Sequence, residues 1–129
     1  MTEAFINFTK LCDQAKLNKN KPHVVLDCAN GVGAIPMEEI SKTLEPYIKI
    51  EMINTNTNNP TILNEKCGAE YIHKDQIEPT EMTNTMPERV ACFDGDADRL
   101  IYFKRGKDAK KTPDIIDGDK QFTLLMTYV

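Results

Sequence analysis

Apolar and polar residues alternate along this chain in two periods, and the period changes mark the elements. Residues 2–16, T-E-A-F-I-N-F-T-K-L-C-D-Q-A-K, place Ala4, Phe5, Phe8, Leu11, Cys12 and Ala15 on one face at helical spacing, with Thr2 as N-cap. N-K-N-K-P ends that helix, and H-V-V-L-D-C (23–28) follows as a short buried strand. A-N-G-V-G-A (29–34) is a turn, after which I-P-M-E-E-I-S-K-T-L-E-P-Y (35–47) predicts a helix with Pro36 in its first turn. The alternation in I-K-I-E-M-I (48–53) predicts a second strand, and the asparagine-rich N-T-N-T-N-N-P (54–60) a loop.

In the second half, G-A-E-Y-I-H (68–73) reads as a short strand and E-P-T-E-M-T-N-T-M-P (78–87) as the most mobile loop. R-V-A-C-F (89–93) and R-L-I-Y-F (99–103) read as two strands joined too tightly for a helical crossover, so the pair is expected to be antiparallel. G-K-D-A-K-K-T-P (106–113) is an exposed turn, I-I-D (115–117) a short strand, and D-G-D-K-Q-F-T-L-L-M-T-Y-V (117–129) opens a last helix. Strand, helix and strand alternate in the first half, so the expected class is α/β, a mixed sheet flanked by helices.

Composition narrows this picture. A length of 129 residues fits one domain, 1–129, and 40% apolar with 28% charged residues is a globular rather than a disordered composition. A net charge of −4 argues against a general nucleic-acid binder. No apolar run approaches the ~20 residues that cross a bilayer. Glu3 stands where a signal peptide would carry its basic or apolar start, so no secretion is expected. Cys12, Cys28, Cys67 and Cys92 form no C-x-x-C pair that would suggest zinc, and they read as reduced thiols of a cytoplasmic protein. The sequon at Asn7-Phe8-Thr9 falls inside the predicted first helix and carries no weight.

The chemistry concentrates in F-D-G-D-A-D-R, residues 93–99. Asp94, Asp96 and Asp98 alternate with Gly95 and Ala97, and Arg99 follows. An EF-hand loop counted from Asp94 would need Gly sixth and Glu twelfth, where this chain has Arg99 and Arg105. A haloacid-dehalogenase phosphatase also sets aspartates after an apolar strand, but a small hydroxyl residue usually follows the second, and here Ala97, Asp98 and Arg99 do. An acidic turn satisfied by backbone N–H groups remains a third reading. Alternate residues of an extended segment point the same way, so three carboxylates could converge on one hard cation such as Mg²⁺. Arg99 would then stand beside the open coordination positions, where a guanidinium can hold phosphate.

Other candidates are weaker. Asp117 and Asp119, in a second D-G-D, read as helix caps. Asn30, Gly31 and Gly33 lack a dinucleotide fingerprint and read as a tight turn supporting the metal loop. His23 and His73 read as surface or packing residues, and Lys104 and Arg105 as solubilising the hairpin.

F-D-G-D-A-D-R resembles the metal-binding loop of the α-D-phosphohexomutase superfamily. L-D-C-A-N-G-V-G-A (26–34), L-N-E-K-C-G-A-E-Y-I (63–72) and I-I-D-G-D-K (115–120) resemble, in order, landmarks of its phosphoacetylglucosamine mutase branch. The resemblance runs over nearly the whole chain and implies the second of four domains around a cleft. It implies that Asp94, Asp96 and Asp98 bind Mg²⁺ together with a phosphoserine oxygen, and that Arg99 is catalytic, steadying the transferred phosphoryl group. The implied reaction interconverts N-acetylglucosamine 6-phosphate and 1-phosphate through a bisphosphorylated sugar, for UDP-N-acetylglucosamine synthesis. The implied partners are the sugar phosphate and the enzyme's remaining domains, with no nucleic acid and no membrane. The family's nucleophilic serine loop has no counterpart, since the single serine, Ser41, lies in the I-S-K-T-L helix without a neighbouring histidine. The chain alone is therefore expected to be inactive. A phosphoglucomutase or phosphomannomutase domain, or a non-catalytic cation-binding module, are the alternatives.

Overall fold

A computed structural model describes residues 21–106 and 113–128. The helix expected over 2–16, with Cys12 and the sequon, lies outside the described residues, as does most of the turn at 106–113.

The apolar runs form five short strands. These are β1 (His23–Asp27), β2 (Lys49–Ile53), β3 (Arg89–Phe93), β4 (Leu100–Lys104) and β5 (Asp114–Ile116). They make one sheet in the order β2-β1-β3-β4-β5. β1 pairs in parallel with both β2 and β3, with Asp27 opposite Ile53 on one side and Cys92 on the other. β3 and β4 are antiparallel with Phe93 opposite Leu100, as the short connection requires, and β4 and β5 are antiparallel too. The parallel steps need crossovers, which α1 (Ala34–Leu44) supplies between β1 and β2 and α2 (Gly68–Asp75) between β2 and β3. A single turn of 3₁₀ helix, Pro60–Ile62, precedes α2, and α3 (Gly118–Tyr128) follows β5. This is the mixed α/β class expected from the sequence.

The pleat sorts side chains onto two faces. Val25, Ile53, Val90, Cys92, Ile101 and Phe103 form one core cluster with Ala69 and Ile72 of α2, completed by Met82, Met86 and Ile115. Leu26, Cys28 and Ala91 form the other with Ala34 of α1, and Met37, Ile50, Met52, Phe93 and Tyr102 pack around them.

Two sequence expectations are corrected here. Residues 68–73 are a helix, not a strand. Strand alternation would have put Ala69, Tyr71 and His73 on one face, but the buried residues are Gly68, Ala69 and Ile72, which follow helical spacing. Glu70 in the first turn and His73 and Lys74 in the last complement the helix dipole, and Gln76 closes the helix in the left-handed region. Arg105 does not merely solubilise the hairpin. Its Nε and Nη2 each bond the Glu78 carboxylate at 2.8 Å, and Nη1 bonds the carbonyls of Thr83 and Met86 at 2.9 and 3.3 Å. The segment expected to be most mobile is thereby tied to the end of β4 while it lays Met82 and Met86 on the core.

Candidate metal centre

β3 ends at Phe93, so Asp94 leaves the sheet from the same end as Asp27 of the parallel neighbour β1. This is the carboxyl end of the parallel strands, where α/β sheets open their binding crevices. The chain then turns within four residues and re-enters as β4. Ala97 adopts a left-handed φ of 59° and its N–H bonds the Asp94 carbonyl at 3.1 Å, closing the turn.

The three carboxylates converge. One oxygen from each of Asp94, Asp96 and Asp98 lies within 4.8 Å of the others. Oxygens on opposite sides of an octahedral Mg²⁺ stand about 4.2 Å apart, given bonds of about 2.1 Å, so this set is only slightly wider than the span of one ion's ligands. An all-oxygen, anionic donor set on a loop of small residues suits a hard dication.

Asp94 is 4% exposed, and Asp96 and Asp98 face solvent. Burial pushes the Asp94 carboxyl up, but Arg99 more than offsets this and leaves it below the ordinary range. Arg99 Nε lies 2.5 Å from Asp94 Oδ2, and its backbone N–H bonds Oδ1 at 3.2 Å. The guanidinium also stands 3.9 Å from Asp98 and, through Nη2, 3.9 Å from Glu70 on α2. Asp98 moves the other way: the charges of Asp96 and then Asp94 hold its carboxyl above the ordinary value. One arginine against three carboxylates leaves the cluster net negative. Among the described residues, the Asp96 and Asp98 side chains accept no backbone hydrogen bond, unlike an acidic turn satisfied by its own N–H groups.

The turn at 29–34 lies against this loop, as its glycines suggested. The Val32 N–H bonds the Gly95 carbonyl at 3.0 Å, and a Cβ on Gly31 would come 2.2 Å from that oxygen. A Cβ on Gly33 would meet Ala97 Cβ and the Phe93 ring at 3.0 Å. Asn30 turns away from the loop, bonding the Ile62 carbonyl at 3.2 Å and accepting the Asn56 N–H at 3.0 Å. From the third side, Gly95 faces Asn64 and Leu63, and Gly68 (φ 85°) sits close to the Phe93 carbonyl.

Asp117 caps α3 as expected, accepting the Lys120 N–H at 3.1 Å. His23 pairs with Glu51 at 3.0 Å, Lys104 with Glu88 at 3.3 Å, and His73 is exposed on α2. Ser41 lies on α1 and bonds the Glu38 carbonyl. Sequence reasoning missed Asp27, Asn54, Asn64 and Glu70, which border or brace the loop. The one available signal was an aspartate ending an otherwise apolar strand.

A family model for phosphoacetylglucosamine mutase AMG1, domain II, matches residues 3–101. The chain belongs to the phosphoacetylglucosamine mutase family. Phosphoacetylglucosamine mutase 2 of Schizosaccharomyces pombe is 38% identical over 112 residues, 86% of this chain and 20% of that protein. The Homo sapiens phosphoacetylglucosamine mutase is 32% identical over 130 residues, all of this chain and 23% of its own length. Among solved structures, an N-acetylglucosamine-phosphate mutase of the α-D-phosphohexomutase superfamily, in a product complex, superposes with a TM-score of 0.83 at 34% identity. That match covers 94% of this chain and 22% of the other. The Aspergillus fumigatus N-acetylphosphoglucosamine mutase, in complex with GlcNAc-6P and magnesium, gives 0.65 at 33%, covering 81% and 22%. The chain thus spans about a fifth of the length of these mutases. Family membership removes the EF-hand and haloacid-dehalogenase readings, and strands rather than helices flank the loop.

Proposed function

We propose that this chain is the metal-binding second domain of a four-domain phosphoacetylglucosamine mutase of the cytoplasm. The complete enzyme interconverts N-acetylglucosamine 6-phosphate and 1-phosphate, on the way to UDP-N-acetylglucosamine. The observation that carries this reading is the convergence of Asp94, Asp96 and Asp98 beside Arg99 on a family-matched hairpin. Those three carboxylates would hold Mg²⁺. Bound there, the ion supplies Lewis-acid stabilisation of charge on a transferring phosphoryl group.

The protein's own residues do the rest. Asp94 holds Arg99 at the cluster's edge through paired contacts, so the guanidinium is already oriented when a phosphate approaches. Arg99 keeps its charge, because Asp94 and then Glu70 and Asp98 raise its pKa further. It therefore offers fixed N–H donors to phosphoryl oxygens as charge redistributes. The nucleophilic serine, carried as phosphoserine, and the sugar-binding loops belong to other domains of the enzyme, and the chain alone is inactive.

The test uses the complete mutase that carries this chain. Chelation should remove turnover of N-acetylglucosamine 6-phosphate, and Mg²⁺ should restore it. Asp94→Ala should abolish the restoration. Preference for glucose or mannose phosphates would move the assignment to a phosphoglucomutase or phosphomannomutase, and turnover indifferent to chelation would sink it.

A further inference from the structure

Asp27 ends β1 and is fully buried, yet its carboxylate touches no member of the metal cluster. Its Oδ1 accepts the Ala29 N–H at 3.0 Å and Asn54 Nδ2 at 2.9 Å, and its Oδ2 accepts the Gly68 N–H at 2.6 Å. Each backbone N–H belongs to a segment that the metal loop rests on. Ala29 and Asn30 hold left-handed φ values of 55° and 54°, an uncommon pair for residues with side chains, so the turn they form needs external support. That turn carries Gly31 and the Val32 N–H against Gly95. Gly68 sits under the Phe93 carbonyl, one residue before Asp94, and its own Cβ position is closed by Ala29. One carboxylate thus fixes two supports, and both supports touch residues 93–95.

We propose that Asp27 is a positioning residue: by tying the Ala29 turn to the start of α2, it sets where Asp94 and Asp96 present their oxygens. The role rests on the metal-centre reading above and extends it to a group that never contacts the ion. An amide at this position offers one oxygen where the carboxylate offers two. In either orientation its NH₂ faces a donor, and one support comes loose. Groups behind metal ligands change affinity by about 10- to 100-fold when altered. The lower figure fits an effect transmitted through backbone.

The experiment is Mg²⁺ titration calorimetry on the complete enzyme, wild type against Asp27→Asn. Phe103→Leu, in the core of the same sheet face, serves as a variant that loses stability without removing a hydrogen bond to either support. Asp27→Asn is expected to bind Mg²⁺ about tenfold more weakly, with turnover recovered by raising Mg²⁺, while Phe103→Leu keeps wild-type affinity. Equal weakening in both variants, or none in Asp27→Asn, makes Asp27 merely structural and overturns the proposal. Should Asp27→Asn fail to fold, amide exchange in the wild type decides instead. Binding and positioning are reciprocal, so Mg²⁺ should slow exchange at Ala29 and Gly68. Binding that slows neither overturns the proposal. A wild type that binds no Mg²⁺ fails differently, because it removes the metal centre itself.

Discussion

Asp27 and Asp94 leave the same end of two neighbouring parallel strands, and both carboxylates are buried, yet the sheet treats them in opposite ways. The charge of Asp27 is answered by fixed neutral donors from Ala29, Gly68 and Asn54. Burial raises its pKa, and those bonds pull back against the rise. Asp94 is answered chiefly by a charged side chain, Arg99, and is then joined by two more carboxylates that have no backbone partners among the described residues. The first arrangement is closed: adding a cation there would displace bonds already made. The second is open, because three negative charges share one guanidinium and gain from any further positive charge. The same side chain at the same end of the sheet, two residues apart in register, thus builds a scaffold in one strand and an open acidic cluster after the next. What separates them is the supply of fixed N–H groups.

The sharpest way to break this contrast is a mirror pair of substitutions. Asp96→Asn in the complete mutase should reduce turnover to background and leave the unfolding midpoint unmoved, since the side chain is exposed and makes no backbone bond. Asp27→Ala should act first on stability. It strands buried N–H groups and lowers stability by about 3 kcal/mol, read from denaturant unfolding. A stable Asp27→Ala protein, or an unstable Asp96→Asn protein, would show that the division between scaffold and site is drawn in the wrong place.

Next in size is the contact between the two regions. In Gly31→Ala the new methyl would enter the space of the Gly95 carbonyl, a backbone atom that cannot swing aside. Overpacking of this kind typically costs 1–3 kcal/mol, and about 2 kcal/mol is expected here. The loss should come with weaker Mg²⁺ binding, since the displaced residue lies between Asp94 and Asp96. Loss of stability with unchanged binding would show that the loop holds its shape without the turn.

Much of this was legible in the sequence, and the reasons differ by element. β1, β3 and β4 announced themselves as short apolar runs and β2 through its period-two alternation, and the six-residue connection allowed only antiparallel pairing of β3 and β4. The cluster was legible because three alternating aspartates cannot sit together without a cause. α2 was misread because eight residues give barely two turns, too few for periodicity to separate helix from strand. Its start depends on a carboxylate 41 residues away, the Asp27 bond to the Gly68 N–H, which no local pattern records. Arg105 looked like a surface charge for the same reason: its partner, Glu78, lies 27 residues earlier. Long-range polar bonds are the part of this fold that a linear reading does not reach.

Proton binding offers a finer probe of the open cluster. Repulsion from Asp96 and Asp94 raises the Asp98 pKa, so as pH falls this carboxyl protonates before an ordinary aspartate would. Metal binding requires the ionised form. Mg²⁺ affinity should therefore begin to weaken at a pH above the usual carboxylate value, and calorimetry across the acidic range would follow it. An affinity that stays flat until ordinary aspartates titrate would mean that Asp98 lies too far from its neighbours to share a cation.

The smallest effect belongs to the closed side. Cys28 and Cys67 are buried near Asp27, and burial, followed by the Asp27 charge, pushes both thiols up to about 12. The folded value lies above that of an unfolded thiol, so the folded state holds these protons more tightly. The resulting stability is complete below about pH 8.5, where an unfolded thiol is protonated too. It is lost progressively as pH rises toward 12. Thiolate is the reactive form, so iodoacetamide at pH 8 should label these cysteines only as fast as the domain opens. Asp27→Asn removes the second cause and leaves the first, so any gain in labelling should come from a destabilised fold rather than from thiols made acidic in place. Rapid labelling of the native wild type at pH 8 would show that this end of the sheet is open to solvent, and the contrast with the metal loop would lose its basis.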